Sequence, residues 1–333
     1  MRRLLLLIGA VVQVLFMACS GEDIPTPGPD PDNPSQTAYD LTVATCNLLK
    51  AEGRREEMSL ENSTVLTALC RSVTDTKADL IAFNELDQDY IPGGKYSLSS
   101  RCATAGWSWS LQWPNSINQY NHSQLSYSYA NGFAWNPNVL TLEQSDYVWL
   151  SKDSENWFPS PETAYGKAGS PSRTIVWALF KHKTTGKKFY FFVTHLPTPS
   201  QNGGGSVSAV NMAGGVNKFA QNKAGSLPAI LCGDMNHAAG TDTYKKLTSY
   251  WKDGNTFSWG TMSGSGSQAT GGSSYHYAAE LYSANHPERR YDHIMTKGFT
   301  AKNYKRIITT YVVGGQTWCP SDHLPVVATV TIE

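Results

Sequence analysis

The sequence predicts an α/β protein built from two stacked β-sheets flanked by helices. Three observations carry that prediction. The chain has 333 residues, 40% hydrophobic and 16% charged, enough for a sizeable core and unlike a disordered or coiled-coil chain. Its first regular segments read strand–helix–strand. Further along, strands outnumber helices, which fits two sheets better than a single parallel one.

Taken in order, Asp40–Cys46 is a short β-rich run. Asn62 or Ser63 caps a helix whose apolar face is Leu66, Leu69, Cys70 and Val73, at i, i+3, i+4, i+7 spacing. Asp79–Phe83 is the next strand. Further strands are expected at Gly132–Trp135, Thr174–Lys181, Lys187–Thr194, Ala229–Cys232, Tyr291–Thr296, Ile307–Val313 and Val326–Ile332. Thr184-Thr185-Gly186 joins two of them as a hairpin turn. Ala209–Asn222 reads as a helix despite its paired glycines, and Gly254–Tyr277 as a long Gly/Ser-rich loop.

The beginning of the chain reads as an export signal. Arg2 and Arg3 precede an apolar run from Leu4 to Ala18, shorter than the roughly 20 residues that span a bilayer. Leu15-Phe16-Met17-Ala18-Cys19 resembles a bacterial lipobox, which implies cleavage before Cys19 and acylation of its thiol. Residues 1–18 are then a lipoprotein signal peptide and 19–38 a Pro/Asp-rich tether, leaving one globular domain over 39–333. The expected location is the bacterial cell envelope, at the outer membrane, with the lipid as the only membrane contact. Cys46, Cys70, Cys102, Cys232 and Cys319 allow at most two disulfides, whose pairing stays open.

Lys+Arg and Asp+Glu are each 27, and removing Arg2 and Arg3 leaves 25 against 27, a net of −2. A protein that lives on a polyanion shows a basic surplus or stripe. Charge therefore does not indicate nucleic acid, and no feature indicates an oligomer.

The strand ends carry the chemistry. They read Thr45-Cys46-Asn47, Phe83-Asn84-Glu85, Thr194-His195-Leu196, Gly233-Asp234-Met235-Asn236, Arg290-Tyr291-Asp292-His293 and Ser321-Asp322-His323. Strand ends are rigid supports for a site. Oxygen donors such as Glu85, Asp322 and Asn47 suit a hard divalent ion, and Asp with His suits proton transfer and charge stabilisation. Singly, each has an ordinary structural explanation: Gly-Asp-x-Asn is rich in turn formers, and a lone histidine on an apolar strand is usually structural. The ordered set is more specific.

That set resembles the endonuclease/exonuclease/phosphatase superfamily, from Tyr39 to Glu333. The resemblance implies a four-layer αββα sandwich of two packed mixed sheets, as in deoxyribonuclease I, and metal-assisted hydrolysis of a phosphate ester. It makes Glu85 the main Mg²⁺ ligand (Mn²⁺ the alternative), with Asn47 and Asp322 beside it. Asp234, oriented with Asn236, accepts a proton from the attacking water. His323, held by Asp292, stabilises phosphoryl charge, and His195 binds another phosphate oxygen. Arg173 is a candidate phosphate contact. Three departures stand out: Asn84 replaces the usual Gln, His293 replaces the common Tyr, and an Arg frequent in secreted members is missing from the helix that carries Asn211 and Asn217.

Substrate choice is expected from the loops Gly93–Asn131 and Gly254–Glu288. The first carries Trp107, Trp109, Trp113, Tyr120, Tyr127 and Tyr129, which either stack on bases and sugars or pack beneath the loop. A nuclease-like phosphodiesterase is expected first. The alternatives are a phosphomonoesterase on inositol or sugar phosphates and a catalytically silent surface binding protein.

Overall fold

Two mixed β-sheets lie face to face in the computed structural model, which describes residues 38–51, 54–113, 131–159, 173–199, 206–254 and 290–332. The first sheet joins β1 (Tyr39–Asn47), β2 (Leu80–Asn84), β3 (Ser110–Gln112), β4 (Asn131–Trp135), β12 (Thr300–Arg306) and β15 (Val326–Ile332), in the order β12-β15-β1-β2-β4-β3. The second joins β5 (Leu140–Leu150), β6 (Trp157–Phe158), β7 (Thr174–His182), β8 (Lys188–Thr194), β9 (Ala229–Asp234), β10 (Lys252–Asp253) and β11 (Asp292–Lys297), in the order β10-β11-β9-β8-β7-β5-β6. Each sheet has one parallel pair, β1/β2 and β8/β9. A separate hairpin pairs β13 (Tyr311–Val313) with β14 (Gln316–Trp318).

Strand alternation divides the apolar residues into layers. Leu41, Val43, Leu80, Ala82 and Phe133 of the first sheet meet Phe180, Phe189, Phe191, Val193, Ile230 and Ile294 of the second. On the first sheet's outer face, Cys46, Ile81 and Phe83 pack against α1 (Ser63–Thr74) through Val65, Leu69 and Val73. Outside the second sheet, Phe192 and Leu231 pack against Met212 and Val216 of α2 (Ser206–Ala224) and Leu247 of α3 (Asp242–Thr248). The result is the expected αββα sandwich.

Several local details differ from expectation. Asn62 caps α1, its side chain accepting from Thr64 N at 2.9 Å, but Leu66 is only half-buried and Val65 takes the inner position. Ile307–Val313 is not one strand: only Tyr311–Val313 is extended, and the preceding β12 was not anticipated. β12 is an edge strand whose exposed Lys and Asn residues hide its alternation. β5, next to the short edge strand β6, is hidden in the sequence in a similar way, because Thr141, Glu143, Gln144 and Asp146 are exposed. The paired glycines lie inside α2 because Gly214 packs against Glu155, where a Cβ would come within 2.5 Å. Cys70 and Cys102 form a disulfide that ties α1 to a helical turn at Leu98–Arg101. Signal segment, tether, Tyr120, Tyr127, Tyr129 and nearly all of the Gly254–Glu288 loop fall outside the described residues.

Candidate active site

On both sheets the inward-facing rows are apolar until they reach one edge of the sandwich, where they turn polar. Leu41 and Val43 lead to Asn47, Leu80 and Ala82 to Asn84, Ile230 and Cys232 to Asp234, and Phe189, Phe191 and Val193 to His195. Period-two alternation keeps each polar group on the interior side. Asn47, Asn84, His195, Asp234 and Asp292 are consequently each no more than 4% exposed. Register then sets neighbours: Asn47 lies opposite Asn84 across β1/β2, and Asp234 opposite Asp292 across β9/β11.

Asp234 is the hub of the second sheet's contribution. Its Oδ1 accepts from the Asn236 backbone N–H at 2.8 Å, and its Oδ2 accepts from Asn47 Nδ2 at 3.1 Å. His195 Nε2 and His323 Nε2 lie 3.3 and 3.6 Å from the same Oδ2. Burial raises the Asp234 pKa to about 6, although the His323 charge pulls the other way. His323 Nδ1 is 2.7 Å from Asp292 Oδ2. Burial opposes a charged ring there, but Asp292, Asp234 and Asp322 outweigh it and hold His323 well above the usual histidine range. His195 goes the opposite way: burial, then the charges of Arg173 and His323, hold it well below that range, so it is neutral. Asn236, in the left-handed region at φ 51°, donates to the Leu196 carbonyl at 2.8 Å and sits 3.0 Å from His195 Nε2.

The first sheet contributes a second group of oxygens. Glu85 stands just past β2 with φ 57°; its Oε2 accepts from Lys50 N at 3.0 Å and its Oε1 lies 3.4 Å from Asn47 Nδ2. The Asn47 amide thus bridges Glu85 and Asp234, while its Oδ1 accepts from Leu49 N at 3.0 Å. Burial and the nearby Asp322 carboxylate raise the Glu85 pKa. Ser321, buried, anchors the Asp322-His323 turn by donating to the Asn47 carbonyl at 2.8 Å and accepting from His323 N at 3.1 Å.

Motif reading missed the brace behind these groups. Asn84 is more than a stand-in for Gln. Its Nδ2 donates to Asn131 Oδ1 (2.7 Å) and to the Thr194 carbonyl (3.0 Å), and its Oδ1 accepts from Asp234 N (2.7 Å). One buried amide therefore joins both sheets at the site. Gly233 makes this possible: at φ 143° it brings its backbone so near Thr194 that an added Cβ would lie 1.9 Å from that carbonyl oxygen. His293 also has work beyond replacing Tyr. Its Nδ1 is 3.2 Å from Asp253 Oδ2 and its Nε2 3.3 Å from the His237 carbonyl, next to Asn236. Asp253 further accepts from the Tyr244 hydroxyl at 2.8 Å. The signal for Asn84 was its place between an apolar strand and Glu85; for Asp253 the sequence offered none.

Arg173 is 1% exposed, and its charge reaches His195. Trp107, Trp109 and Trp113 pack half-buried against the first sheet's outer core, the second of the two roles open to them. Asn217 is tied to the Lys246 carbonyl at 2.6 Å and Asn211 to the Lys152 carbonyl at 3.1 Å, so both brace helix α2. Donor atoms of Asp234, Asp292 and His323 lie within 4.8 Å of one another, a cluster able to hold a metal ion.

Fold and site define a class: an αββα sandwich with a carboxylate–histidine centre at the seam of its sheets. The chain belongs to the endonuclease/exonuclease/phosphatase family, whose model matches residues 44–323. That family comprises phosphoesterases, nucleases and phosphatases among them, and is typically dependent on a divalent metal. No curated protein matches the chain. Among solved structures, an endonuclease/exonuclease/phosphatase family protein of Bacteroides thetaiotaomicron is similar at 20% identity and TM-score 0.65, covering 89% of this chain and 96% of that one. A mannosyl-6-phosphatase of the same organism has 20% identity and TM-score 0.64, covering 88% and 100%. D. rerio TDP2 complexed with a single-strand DNA product has 13% identity and TM-score 0.58, covering 87% and 98%. At such identities the likeness is one of fold.

Proposed function

We propose that the chain is a divalent-metal-dependent hydrolase of phosphate esters, acting first on phosphodiesters. The observation that carries this is Asp234, whose Oδ2 lies within 3.6 Å of His323 Nε2 while Asn47 links it to Glu85. A proton acceptor, a cation and a hard oxygen site then share one edge. Glu85 and Asp322 fit Mg²⁺ or Mn²⁺ as oxygen donors, and a cation would relieve both the burial and the neighbouring Asp322 charge that raise the Glu85 pKa. Asn47, expected as a ligand, instead turns its Nδ2 to Glu85 and its Oδ1 to Leu49 N, so it braces Glu85. Binding at Asp234, Asp292 and His323 instead would displace the 2.7 Å His323–Asp292 hydrogen bond. When bound, the ion polarises a phosphoryl oxygen and supports the leaving oxygen.

The remaining chemistry belongs to side chains. Asp234, ionised above a pKa of about 6, takes a proton from the attacking water. Cationic His323 meets charge developing on the phosphoryl oxygens. Neutral His195 can offer a hydrogen bond to a phosphate oxygen as its Nε2–H tautomer, with Asn236 Nδ2 then donating to the Leu196 carbonyl alone. Arg173, buried and acting on His195 through its charge, serves as a supporting charge rather than an exposed phosphate contact.

Charge does not choose between the esters, because His323, Arg173, Lys50 and the proposed ion offset the four carboxylates. The diester reading is supported by the fold shared with D. rerio TDP2 complexed with a single-strand DNA product. The monoester reading is favoured by the fold shared with the mannosyl-6-phosphatase. Rates on bis-p-nitrophenyl phosphate and p-nitrophenyl phosphate, with and without EDTA, separate the two. Full activity in EDTA, or after Glu85→Gln, would overturn the metal assignment. No hydrolysis of either ester with Mg²⁺ or Mn²⁺ would leave the silent-binder alternative. We further propose a lipid on Cys19 and an envelope location; mass spectrometry showing a free thiol on the mature chain would refute it.

A further inference from the structure

Arg54 lies outside every strand-end motif, yet its guanidinium reaches three loops of the site. Nη1 donates to the Pro320 carbonyl at 2.8 Å and the Met58 carbonyl at 3.3 Å. Nη2 donates to the carbonyls of Leu48 and Leu49 and to the Tyr90 hydroxyl, the last two at 3.0 and 2.9 Å. Tyr90 is buried and in turn donates to the Leu49 carbonyl at 2.6 Å. Leu48 and Leu49 follow Asn47, Tyr90 follows Glu85 by five residues, and Pro320 precedes Ser321 and Asp322.

The geometry of the first loop shows what the clamp accomplishes. Leu49 takes φ 57°, a left-handed conformation that leucine rarely adopts unless its surroundings impose it. That turn aims Lys50 N–H at Glu85 Oε2, 3.0 Å away, and Ala51 N–H at Asp87 Oδ2, 2.7 Å away. The Leu48 and Leu49 carbonyls point back to the guanidinium. A planar fork with several fixed donors can satisfy acceptors from separate segments at once; a lysine ammonium cannot reproduce it.

We propose that Arg54 is a positioning residue for the divalent-cation site: by tying together the loops after Asn47, after Glu85 and before Asp322, it sets the spacing of their oxygens. This rests on the metal-dependent reading above. The hydrogen bonds of Arg54 go to backbone carbonyls and the Tyr90 hydroxyl and not to Glu85 or Asp322, so its removal is expected to act on cation affinity more than on the chemical step.

The test uses the full chain and Mn²⁺ as probe, with binding followed by electron paramagnetic resonance for the wild type, Arg54→Lys and Tyr90→Phe. The Mg²⁺ concentration for half-maximal hydrolysis of bis-p-nitrophenyl phosphate is read in parallel. Arg54→Lys, folded by circular dichroism, is expected to bind Mn²⁺ roughly tenfold more weakly and to raise the Mg²⁺ half-saturation similarly. Its turnover at saturating Mg²⁺ stays within about threefold of wild type. Tyr90→Phe moves affinity in the same direction by less. Wild-type Mn²⁺ affinity in the folded variants overturns the assignment while leaving the metal reading intact. If Arg54→Lys fails to fold, Tyr90→Phe decides: weaker binding supports the clamp and unchanged binding sinks it. If the wild type itself binds no Mn²⁺, both fall.

Discussion

His323 and Asp292 meet across the seam between the two sheets, with Nδ1 and Oδ2 2.7 Å apart. The pair orients Nε2 toward Asp234 and favours the imidazolium. His323→Ala should lower turnover by about 10² or more, the scale of losing one transition-state donor. Asp292→Asn should cause a loss of the same kind and move the basic limb of the pH–rate profile to lower pH, since one source of the raised pKa is gone. Because the residues act as a unit, the double variant should be less damaging than the product of the singles. Full additivity in that cycle would show that they work independently.

The same pair gives stability a pH dependence. The folded-state pKa of His323 is raised, so its contribution is complete below the unfolded value of about 6.5 and fades as pH rises through the folded value. Urea melts of wild type and His323→Gln should therefore converge at high pH. A gap that does not change with pH would contradict the shift.

Asp234 moves stability with pH in the same sense, but through a cost of ionisation rather than a lost gain. Its folded pKa of about 6 exceeds its ordinary 3.8, so burying the carboxylate weakens the fold as pH rises through that interval. The acid that costs stability when ionised is the one proposed to take the proton. Activity should rise along an acidic limb that Asp234 governs, and Asp234→Asn should abolish it while raising the melting temperature above pH 6. An Asp234→Asn protein with wild-type turnover would exclude Asp234 as the base.

Asn84→Ala would strip three hydrogen bonds from a fully buried position and leave Asp234 N and the Thr194 carbonyl to find other partners. Unmet buried groups cost about 1–3 kcal/mol each, so a loss of at least ~3 kcal/mol is expected in chemical denaturation. A loss below about 1 kcal/mol would mean that the brace is not needed.

The Cys70–Cys102 bridge closes a segment with a sequence separation of 32 residues. Chain-entropy reasoning gives a stabilisation of about 3–4 kcal/mol, lost in the double Cys→Ser variant or on reduction. Because the bridge lies under the Trp107 and Trp109 loop rather than at the site, hydrolysis by the folded reduced protein should be little changed. Reduction that leaves the melting temperature untouched would refute this.

Much of this was legible along the chain. Long inward rows such as Phe189–Val193 and Ile230–Cys232 marked their strands, and the polar residue ending each row marked the site. Amphipathic strands at or next to a sheet edge were not legible: the Lys and Asn residues of β12 and the acidic and hydroxyl residues of β5 face solvent and dilute the pattern. Nor were links between segments far apart in sequence. Asn84 reaching Thr194 and Asp234, Asp253 under His293, and Arg54 on Pro320 depend on how two sheets and their loops are placed in space. The pairing of Cys70 with Cys102 was open for the same reason, since five candidates allow many partners.

Asn47, Glu85, Asp322 and His323 ride on the first sheet, whereas His195, Asp234, Asn236 and Asp292 ride on the second. The phenylalanine-rich layer between the sheets is therefore a spacer as well as a core. Its thickness sets the gap across which His323 meets Asp292 and Asn47 meets Asp234, as shims set the jaws of a calliper. On the proposed mechanism, a change of side-chain volume at Phe191, buried in that layer, is expected to reach the site by altering the gap between Asp234 and His323.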